Sequence, residues 1–330
     1  MSSGCPACGT NGHRRRFAAR EMMFGRGGDF AYLDCAGCGS LRIEAAPPDL
    51  APYYAGPYYS FAAPPGGVRR LARDRRAAAA FGRGGLAARL LLWRYGIPAD
   101  LRAVVQADVP PTARVLDVGC GGGALLADLH GAGFAHLTGV DPFVTETLRR
   151  ADGVTIWKQS LEQHRGRYDL IMMHHSLEHA ADPLGALREA RRLVEPGGVA
   201  LVRVPIAASF AARTYDAAWV QLDAPRHLFI PSATGLRALA GAAGFTIHRV
   251  VYDSDAAQFW GSELYRRGLT LVDSRGRRRS PRAAGITRAQ LAGLRARARE
   301  LNAAGDGDQA CFYLRPTAPA SRELPEPPRS

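Results

Sequence analysis

The sequence predicts an α/β fold with a doubly wound parallel sheet. From Thr112 onward, short β-rich segments alternate with helical ones, which is the pattern of strands joined by crossover helices. A glycine-rich loop also follows the first of these strands directly, as in nucleotide-binding sheets. The predicted strands are 113–118, 136–140, 154–158, 168–174, 197–205, 245–252 and 308–314. These seven strands fit a single Rossmann-like sheet.

The segments between the strands read as helices. "ALLADLHGAG" follows the first strand, and "DPLGALREARRLVEPGG" ends in a Pro-Gly-Gly stop. A further helix is predicted at 232–243, before the sixth strand. Residues 254–307 form an insert between the sixth and seventh strands, on the side where a substrate would bind. Its candidates for shaping specificity are Gln258, Trp260, Glu263 and Tyr265.

The first 46 residues form a small module with too little apolar content to fold without a bound metal ion or a covalent cross-link. Two CxxC pairs supply one, each followed by glycine: Cys5 with Cys8, and Cys35 with Cys38. Four thiolates predict a closed tetrahedral Zn²⁺ site, structural and not catalytic. A redox CxxC is the alternative, but no thioredoxin-like context surrounds either pair. The remaining cysteines are not expected to bind the metal.

Residues 47–111 connect this module to the sheet. A Pro- and Tyr-rich stretch comes first, followed by a helical pattern over 68–106. This stretch contains four tyrosines that could cover a bound ligand or simply pack the linker: Tyr53, Tyr54, Tyr58 and Tyr59. The main domain is predicted to span 112–315, and the Pro-rich tail at 316–330 is predicted to be disordered.

The chain carries a formal net charge of +13, almost all from arginine, because Lys158 is the only lysine. The favoured interpretation is that these arginines lie on solvent-exposed faces of helices. The alternative is that they form a surface that binds a polyanion such as nucleic acid. No stretch approaches the ~20 apolar residues of a membrane span. The polar N-terminus lacks the apolar centre of a secretory signal, so a cytoplasmic location and no membrane partner are expected. The oligomeric state cannot be read from these features.

The glycine loop "VLDVGCGGG" places Asp117, Gly119, Gly121 and Gly123 between a strand and a helix. Glycines there let the backbone approach a ligand closely. The second strand ends at Asp141, where a carboxylate can accept hydrogen bonds from ribose hydroxyls. A plain tight turn and a nicotinamide dinucleotide site are the alternatives. The spacing is GxGxG instead of GxGxxG, and the acid before it suits a cationic ligand better than a pyrophosphate.

Four motifs in order resemble class I S-adenosylmethionine-dependent methyltransferases: "VLDVGCGGG", "GVDP", "YDLIMMHHSLEHAADP" and "LVEPGGVALVRVP". The resemblance covers roughly residues 112–250. It implies that S-adenosylmethionine is the cofactor, with the methionine part at the glycine loop, the ribose at Asp141, and the adenine near the "KQSLEQ" segment. The implied donor-binding residues are Asp117, Gly119, Cys120, Gly121, Gly123, Asp141, Pro142, Ser160, Leu161 and His174. The acid that the family often has in the adenine segment is replaced here by Glu162 or a polar side chain such as Gln159.

Candidate catalytic groups follow the fourth and fifth strands. "HHSLEH" brings together His175, Glu178 and His179, and a histidine is a suitable base for a methyl acceptor. Alternatively, this stretch only starts a helix, with Ser176 as its cap. "DAPRH" resembles a loop that closes over the substrate in a methyltransferase subgroup. It makes His227 a second candidate base, with Asp223 as its orienter or acceptor.

The favoured function is methyl transfer to a hydroxyl of a small molecule: a sugar, a quinone or a natural-product scaffold. The alternative is a ribosomal-RNA-type methyltransferase whose zinc ribbon and arginines bind RNA. Against it, the chain has no "NPPY"-type motif. A third hypothesis is a zinc-stapled binding protein on an inactive scaffold, and the intact glycine loop and Asp141 argue against that.

Overall fold

The computed structural model describes residues 4–54 and 66–317. Tyr58, Tyr59 and nearly all of the C-terminal tail lie outside these residues. The described chain forms two sheets, one small and antiparallel and the other large and mostly parallel.

The small sheet holds the N-terminal module against the main domain. Its strands are β1 (His13–Arg20), β2 (Asp29–Cys35), β3 (Leu41–Ile43) and β10 (Phe229–Ile230), in that order. The last strand comes from the loop after the fifth predicted strand, and Phe229 pairs with Arg42 and Ile230 with Leu41. The N-terminal module is therefore completed by a strand of the main domain.

The large sheet contains the strands that the sequence predicted. They are β4 (Arg114–Val118), β5 (His136–Val140), β6 (Leu148–Arg149), β7 (Thr155–Trp157), β8 (Tyr168–His174), β9 (Val194–Pro205), β11 (Phe245–Tyr252) and β12 (Gln309–Pro316). Their order is β11-β12-β9-β8-β4-β5-β7-β6. The one addition is the two-residue β6, which extends the edge antiparallel to β7. The α/β, Rossmann-like fold class is confirmed.

Helices cover both faces of this sheet. They are α1 (Ala51–Tyr54), α2 (Gly67–Ala80), α3 (Leu86–Tyr95), α4 (Ala99–Gln106), α5 (Ala124–Gly131), α6 (Pro183–Leu193), α7 (Phe210–Tyr215), α8 (Ala233–Ala242), α9 (Ala257–Arg266) and α10 (Arg288–Ala303). The predicted insert contains α9 and α10. Two buried apolar clusters flank the sheet, one centred on α6 and α8, the other on α4 and α5.

Side-chain caps begin four of the described helices, α6, α7, α8 and α10. The Asp182 side chain accepts a hydrogen bond from Gly185 N–H at the start of α6, and Thr287 and Gln290 form a capping box on α10. Within the described chain, no helix combines the length and apolar character needed to cross a membrane.

Candidate active site

The strand order reverses between β4 and β8, and the loops after these two strands meet there. The chain runs from β4 outward through β5 and β7, then returns to β8 on the other side. Gly119 has φ +73°, and a Cβ on it would lie 2.7 Å from the Ser176 Cβ in the loop after β8. Ligands of open α/β sheets bind at such a switch point. The glycine loop and the His-rich loop therefore line one crevice.

Asp141 ties the end of β5 to the glycine loop. Its Oδ2 accepts a hydrogen bond from Gly121 N–H, and its Oδ1 accepts one from Phe143 N–H, both at 2.8 Å. Burial raises the pKa of this carboxyl, and the two backbone hydrogen bonds lower it only in part. The carboxylate is thus fixed beside the turn, and each oxygen keeps a lone pair that can accept a further hydrogen bond.

Asp117 lies at the end of β4 and is almost fully buried. Burial raises its pKa to about 8, with smaller contributions from the negative charges of Asp100 and Asp141. A carboxyl group in this state favours a ligand that brings positive charge, because a cation stabilises its ionised form.

The other predicted donor-binding residues surround the same loop. Gly123 has φ +73° and begins α5, where a Cβ would lie 2.5 Å from Ile156 Cδ1. The Cys120 thiol lies against Gly139 of β5, so this residue can offer its backbone to the crevice. In the adenine segment, Ser160 N–H donates to Gln163 Oε1 at 3.1 Å, and Leu161 is buried in the core. Pro142 and Glu162 are exposed.

His174, the last residue of β8, has no hydrogen-bond partner for its ring within the described residues. The Ser176 hydroxyl has none there either. Burial lowers the pKa of His174 to about 3, so its ring is neutral at pH 7. Buried polar atoms without partners indicate a place where a ligand or water supplies them. Ser176 does not cap the turn that follows, which spans Leu177–His179.

His175 has partners on both ring nitrogens. Its Nδ1 lies 3.0 Å from Glu178 Oε1, which can only accept a hydrogen bond from it, and Arg203 Nη1 donates to its Nε2 at 3.2 Å. Its own backbone is in the left-handed region, with φ +51°, and its N–H donates to Arg203 O. His175 therefore orients Glu178, and neither of its nitrogens is left for a substrate.

His179 and His227 lie side by side, with ring centroids 4.7 Å apart. His179 Nδ1 lies 2.9 Å from the carbonyl oxygen of Arg226, and His227 Nδ1 lies 2.8 Å from that of Gln221. A carbonyl oxygen only accepts, so each Nδ1 carries the proton and each Nε2 keeps its lone pair. Burial lowers the pKa of His227 to about 4, and the neighbouring His179 lowers it further.

Glu178 lies beside this pair and is completely buried. Its Oε1 is 3.9 Å from His227 Nε2, and its Oε2 has no partner among the residues described. Burial alone would raise its pKa, but the hydrogen bond from His175 and the nearby imidazoles outweigh it and lower the pKa to about 2. The site thus holds a buried carboxylate next to the neutral ring of His227.

Asp223 does not hydrogen-bond to His227, since its Oδ2 lies 3.9 Å from His227 Nε2. Its carboxylate accepts two hydrogen bonds from Arg226, whose Nε lies 2.9 Å from Oδ2. Arg226 also donates to Glu21 Oε1 and to the Tyr53 carbonyl, each at 2.9 Å. The Asp223–Arg226 pair therefore links the loop that carries His227 to the N-terminal module.

The four cysteines of the two CxxC pairs come together in the N-terminal module. The sulfurs of Cys5 and Cys38 lie 3.7 Å apart, and those of Cys8 and Cys35 3.5 Å apart. Four sulfurs at Zn–S distances of ~2.3 Å in a tetrahedron would be about 3.8 Å apart, so this arrangement fits a zinc ion.

The N-terminal module also contacts the loop that carries His227. Tyr32 on β2 donates a hydrogen bond to the His227 carbonyl at 2.8 Å.

The insert contributes two buried polar side chains from α9. Gln258 Oε1 and the Tyr265 hydroxyl have no hydrogen-bond partner within 4–54 and 66–317. Trp260 instead packs with Arg278 over its ring, and Glu263 pairs with Arg266 near the surface. Of the four insert candidates, Gln258 and Tyr265 are therefore the ones with atoms available to a ligand.

Arg203 belongs to the site although nothing in the sequence pointed to it, and Tyr54 lies closer to the histidines than the sequence could indicate. Arg203 on β9 donates hydrogen bonds to Asp100 and Asp253, each at 2.7 Å. The guanidinium held in this way also donates to His175 Nε2 and so fixes that ring. Tyr54 on α1 lies 3.0 Å from His179 Nδ1 and stacks on Phe143, with ring centroids 5.5 Å apart. The sequence pointed to Tyr54 as a possible cover, and the structure brings it to the histidines. Arg203 sits in a buried strand, where hydrophobic periodicity gives no hint of its role.

Comparisons with known proteins find similar sequences and structures. A family model described as "Methyltransferase domain" matches residues 78–250, about half of the chain. The ubiquinone biosynthesis O-methyltransferase of Pseudomonas aeruginosa is 35% identical over 96 residues, covering 26% of this chain and 41% of that protein. The protein of the same name from Sodalis glossinidius is 39% identical over 95 residues, covering 26% and 38%. The chain thus spans about two fifths of the length of these relatives.

Among solved structures, a S-adenosylmethionine-dependent methyltransferase of Thermotoga maritima is 18% identical and has a TM-score of 0.41, covering 74% of this chain and 92% of its own. The family model is the stronger finding, because it includes the glycine loop, Asp141, the His-rich loop and the "PRH" segment. With that match and the geometry of the crevice, the chain belongs to the S-adenosylmethionine-dependent methyltransferases.

Proposed function

We propose that this methyltransferase transfers the methyl group to a hydroxyl of a small molecule, with His179 as the proton acceptor. The observation that carries the proposal is the Nε2 lone pair of His179, which the hydrogen bond from Nδ1 to the Arg226 carbonyl leaves free. His179 is half-buried, whereas His227 is buried. Tyr54 packs against both His179 and Phe143, and the Phe143 N–H donates to Asp141, so the His179 ring lies near the proposed donor side.

Methyl transfer needs the acceptor oxygen, the methyl carbon and the sulfonium in line, and the loss of one proton from the acceptor. We assign the methionine part of the donor to Asp117 and the backbone of Gly119–Gly123, and the ribose to Asp141. Ser160 and Leu161 flank the adenine, and His174 faces the donor with its unpaired nitrogens. Glu178 and His227 would then stabilise the imidazolium that forms on His179.

The acceptor side supports a small polar molecule. Buried oxygens of Glu178, Gln258 and Tyr265 lack partners in the described chain and could bind hydroxyl or carbonyl groups. Tyr54 and Phe143 stack beside His179 and narrow the opening. A sugar, a quinone or another natural-product scaffold has the polar groups that such a site requires.

RNA as the acceptor finds less support. Three arginines of β1 that could face a phosphate backbone are already paired: Arg14 with Asp34, Arg15 with Asp216, and Arg16 with Glu44. We propose that the N-terminal module does not bind RNA. In this proposal its four cysteines bind one Zn²⁺, and the module, described from residue 4 to about residue 46 and called the ribbon below, supports the loop that carries His227.

Donor binding tests the first part of the proposal. Asp141→Asn removes the charge that would hold the ribose, and loss of a charged hydrogen bond costs about 1.5–3 kcal/mol. We therefore expect the Kd for S-adenosylmethionine in calorimetry to rise at least tenfold. Asp152→Asn, in the turn before β7, is the matched control and should bind as the parent does. Equal affinity of both variants would refute the donor site.

Methyl transfer from labelled donor to a panel of sugars, quinones and phenolic scaffolds tests the second part. His179→Gln should lower kcat by ~10²–10⁴-fold with little change in donor affinity, because it removes the proton acceptor alone. A variant with full kcat would exclude His179 from this role. Labelling of RNA and of none of the small molecules would favour the alternative acceptor.

A further inference from the structure

A second group of metal-ligating side chains lies in the active site, apart from the four cysteines. Glu178, His179 and His227 each offer one ligand atom, and these atoms all lie within 4.8 Å of one another. The first two residues belong to the turn after β8, and the third to the loop before β10. The fold thus brings three ligands together from two distant segments.

The two histidines are held in the tautomer that a metal requires. Each Nδ1–H donates to a backbone carbonyl, that of Arg226 for His179 and that of Gln221 for His227. Metal-binding histidines characteristically donate their other N–H in this way, which fixes the ring and makes the free nitrogen a better ligand. Both Nε2 atoms are therefore prepared for a cation.

Glu178 completes the set. It is fully buried, and its Oε2 has no hydrogen-bond partner in the described part of the chain. Its Oε1 is held by His175, which is itself held by Arg203 on the opposite nitrogen. A buried carboxylate oxygen without a donor is costly, and a metal ion would satisfy it.

We propose that Glu178, His179 and His227 bind a divalent transition metal such as Zn²⁺ or Fe²⁺. Two imidazoles and one carboxylate suit these ions, whereas Mg²⁺ and Ca²⁺ prefer oxygen ligands alone. Ligands at ~2.1 Å from a metal lie about 3.4 Å apart in a tetrahedron, so side-chain adjustments of about 1 Å bring the three into place. Three protein ligands leave coordination positions open for water or an acceptor oxygen.

The site is independent of the four-cysteine site and does not require the proposed methyl acceptor. A metal ion on Nε2 of His179 would occupy the lone pair of the proposed proton acceptor, so the metal-bound state and the state that accepts the proton exclude one another. Metal binding is therefore measured without turnover. The probe is Zn²⁺ added to the full chain, followed by removal of loosely bound ion and elemental analysis. We expect two Zn²⁺ per chain for the parent and one for His227→Ala. An excess of Mg²⁺ should not displace the second ion.

Two controls separate the possible causes of a lower zinc content. His248→Ala removes an exposed histidine of β11 and should keep both ions. Cys311→Ala removes a buried thiol that lies outside both groups of ligands and should also keep both ions. Unchanged binding of S-adenosylmethionine by His227→Ala shows that the variant is folded, and Glu178→Gln provides a second test with a smaller change.

Co²⁺ gives an independent readout, because cobalt bound to thiolates absorbs strongly in the near ultraviolet and cobalt bound to nitrogen and oxygen does not. A second Co²⁺ equivalent that adds visible bands without thiolate bands supports the site. One Zn²⁺ per chain in the parent, or equal zinc in the parent and in His227→Ala, overturns the proposal. Failure to bind S-adenosylmethionine would instead count against the proposed function and leaves the metal count unaffected.

Discussion

At the scale of single residues, we expect the buried carboxyl group of Asp117 to couple donor binding to pH. Its pKa is raised to about 8 by burial and by the charges of Asp100 and Asp141. A donor with an ammonium and a sulfonium group stabilises the ionised form, so this pKa is lower in the complex. Between the two pKa values, binding releases a proton from Asp117.

Donor affinity should therefore increase as pH rises towards 8 and level off above it, by up to about tenfold per pH unit. Calorimetry from pH 6 to 9, in two buffers with different ionisation enthalpies, measures both the affinity and the released proton. Asp117→Asn keeps the shape of the side chain and cannot ionise. It should lose this part of the pH dependence, and a variant that keeps it would assign the proton to another group.

At the scale of secondary-structure elements, β2 of the ribbon supports the loop that carries His227. The Tyr32 hydroxyl donates to the His227 carbonyl, and Arg226 next to it binds Glu21 of the ribbon. Both of these contacts are buried. The position of the His227 ring is therefore set partly by the N-terminal module.

Tyr32→Phe removes one buried hydrogen bond and leaves the His227 carbonyl without this donor, which costs about 1–2 kcal/mol of stability. We expect a lower Tm and a reduced kcat with an unchanged Kd for S-adenosylmethionine, because the donor residues lie on the other sheet. Tyr252→Phe, on β11, is the matched control. If Tyr32→Phe changed Tm and left kcat intact, the ribbon would support the fold alone.

The strands of the large sheet could be predicted because each is a short β-rich segment between turn residues. The extra strand β6 could not, since two residues carry no periodicity. The same limit applies to β10, whose two residues pair with β3 across nearly 190 positions of sequence. Short strands of this kind are defined by their partners and not by their own pattern.

The residues of the candidate site also divide into those that a local sequence pattern predicts and those whose roles depend on distant partners. Asp117, the glycines and Asp141 could be proposed as donor-binding residues because their pattern depends on local spacing after a strand. The roles of the histidines depend on partners far away in sequence: Arg203 occupies His175, and backbone carbonyls orient His179 and His227. Sequence alone therefore identified the set of histidines, and the structure was needed to separate supporting rings from available ones.

At the scale of the whole molecule, the ribbon and the methyltransferase domain both contribute strands to the small sheet. Ile230 of β10 pairs with Leu41 of β3, and the side chain of Ser232, the N-cap of α8, donates to the Cys38 carbonyl beside the four sulfurs. Ser40 Oγ accepts a hydrogen bond from Ser232 N–H at 3.0 Å. Loss of the metal ligands among the cysteines should therefore alter the position of the loop that carries His227.

Cys8→Ser replaces the most exposed of the four sulfurs and should abolish zinc binding at the ribbon, because serine is a poor zinc ligand. Metal binding contributes folding free energy, so we expect a lower Tm and a loss of methyl transfer. Donor binding should persist, since Asp117 and Asp141 lie on the large sheet. Cys311→Ala, a buried cysteine outside the ribbon, should keep its ribbon zinc and its activity. If Cys8→Ser lost zinc and kept full activity, the ribbon would not position the loop that carries His227.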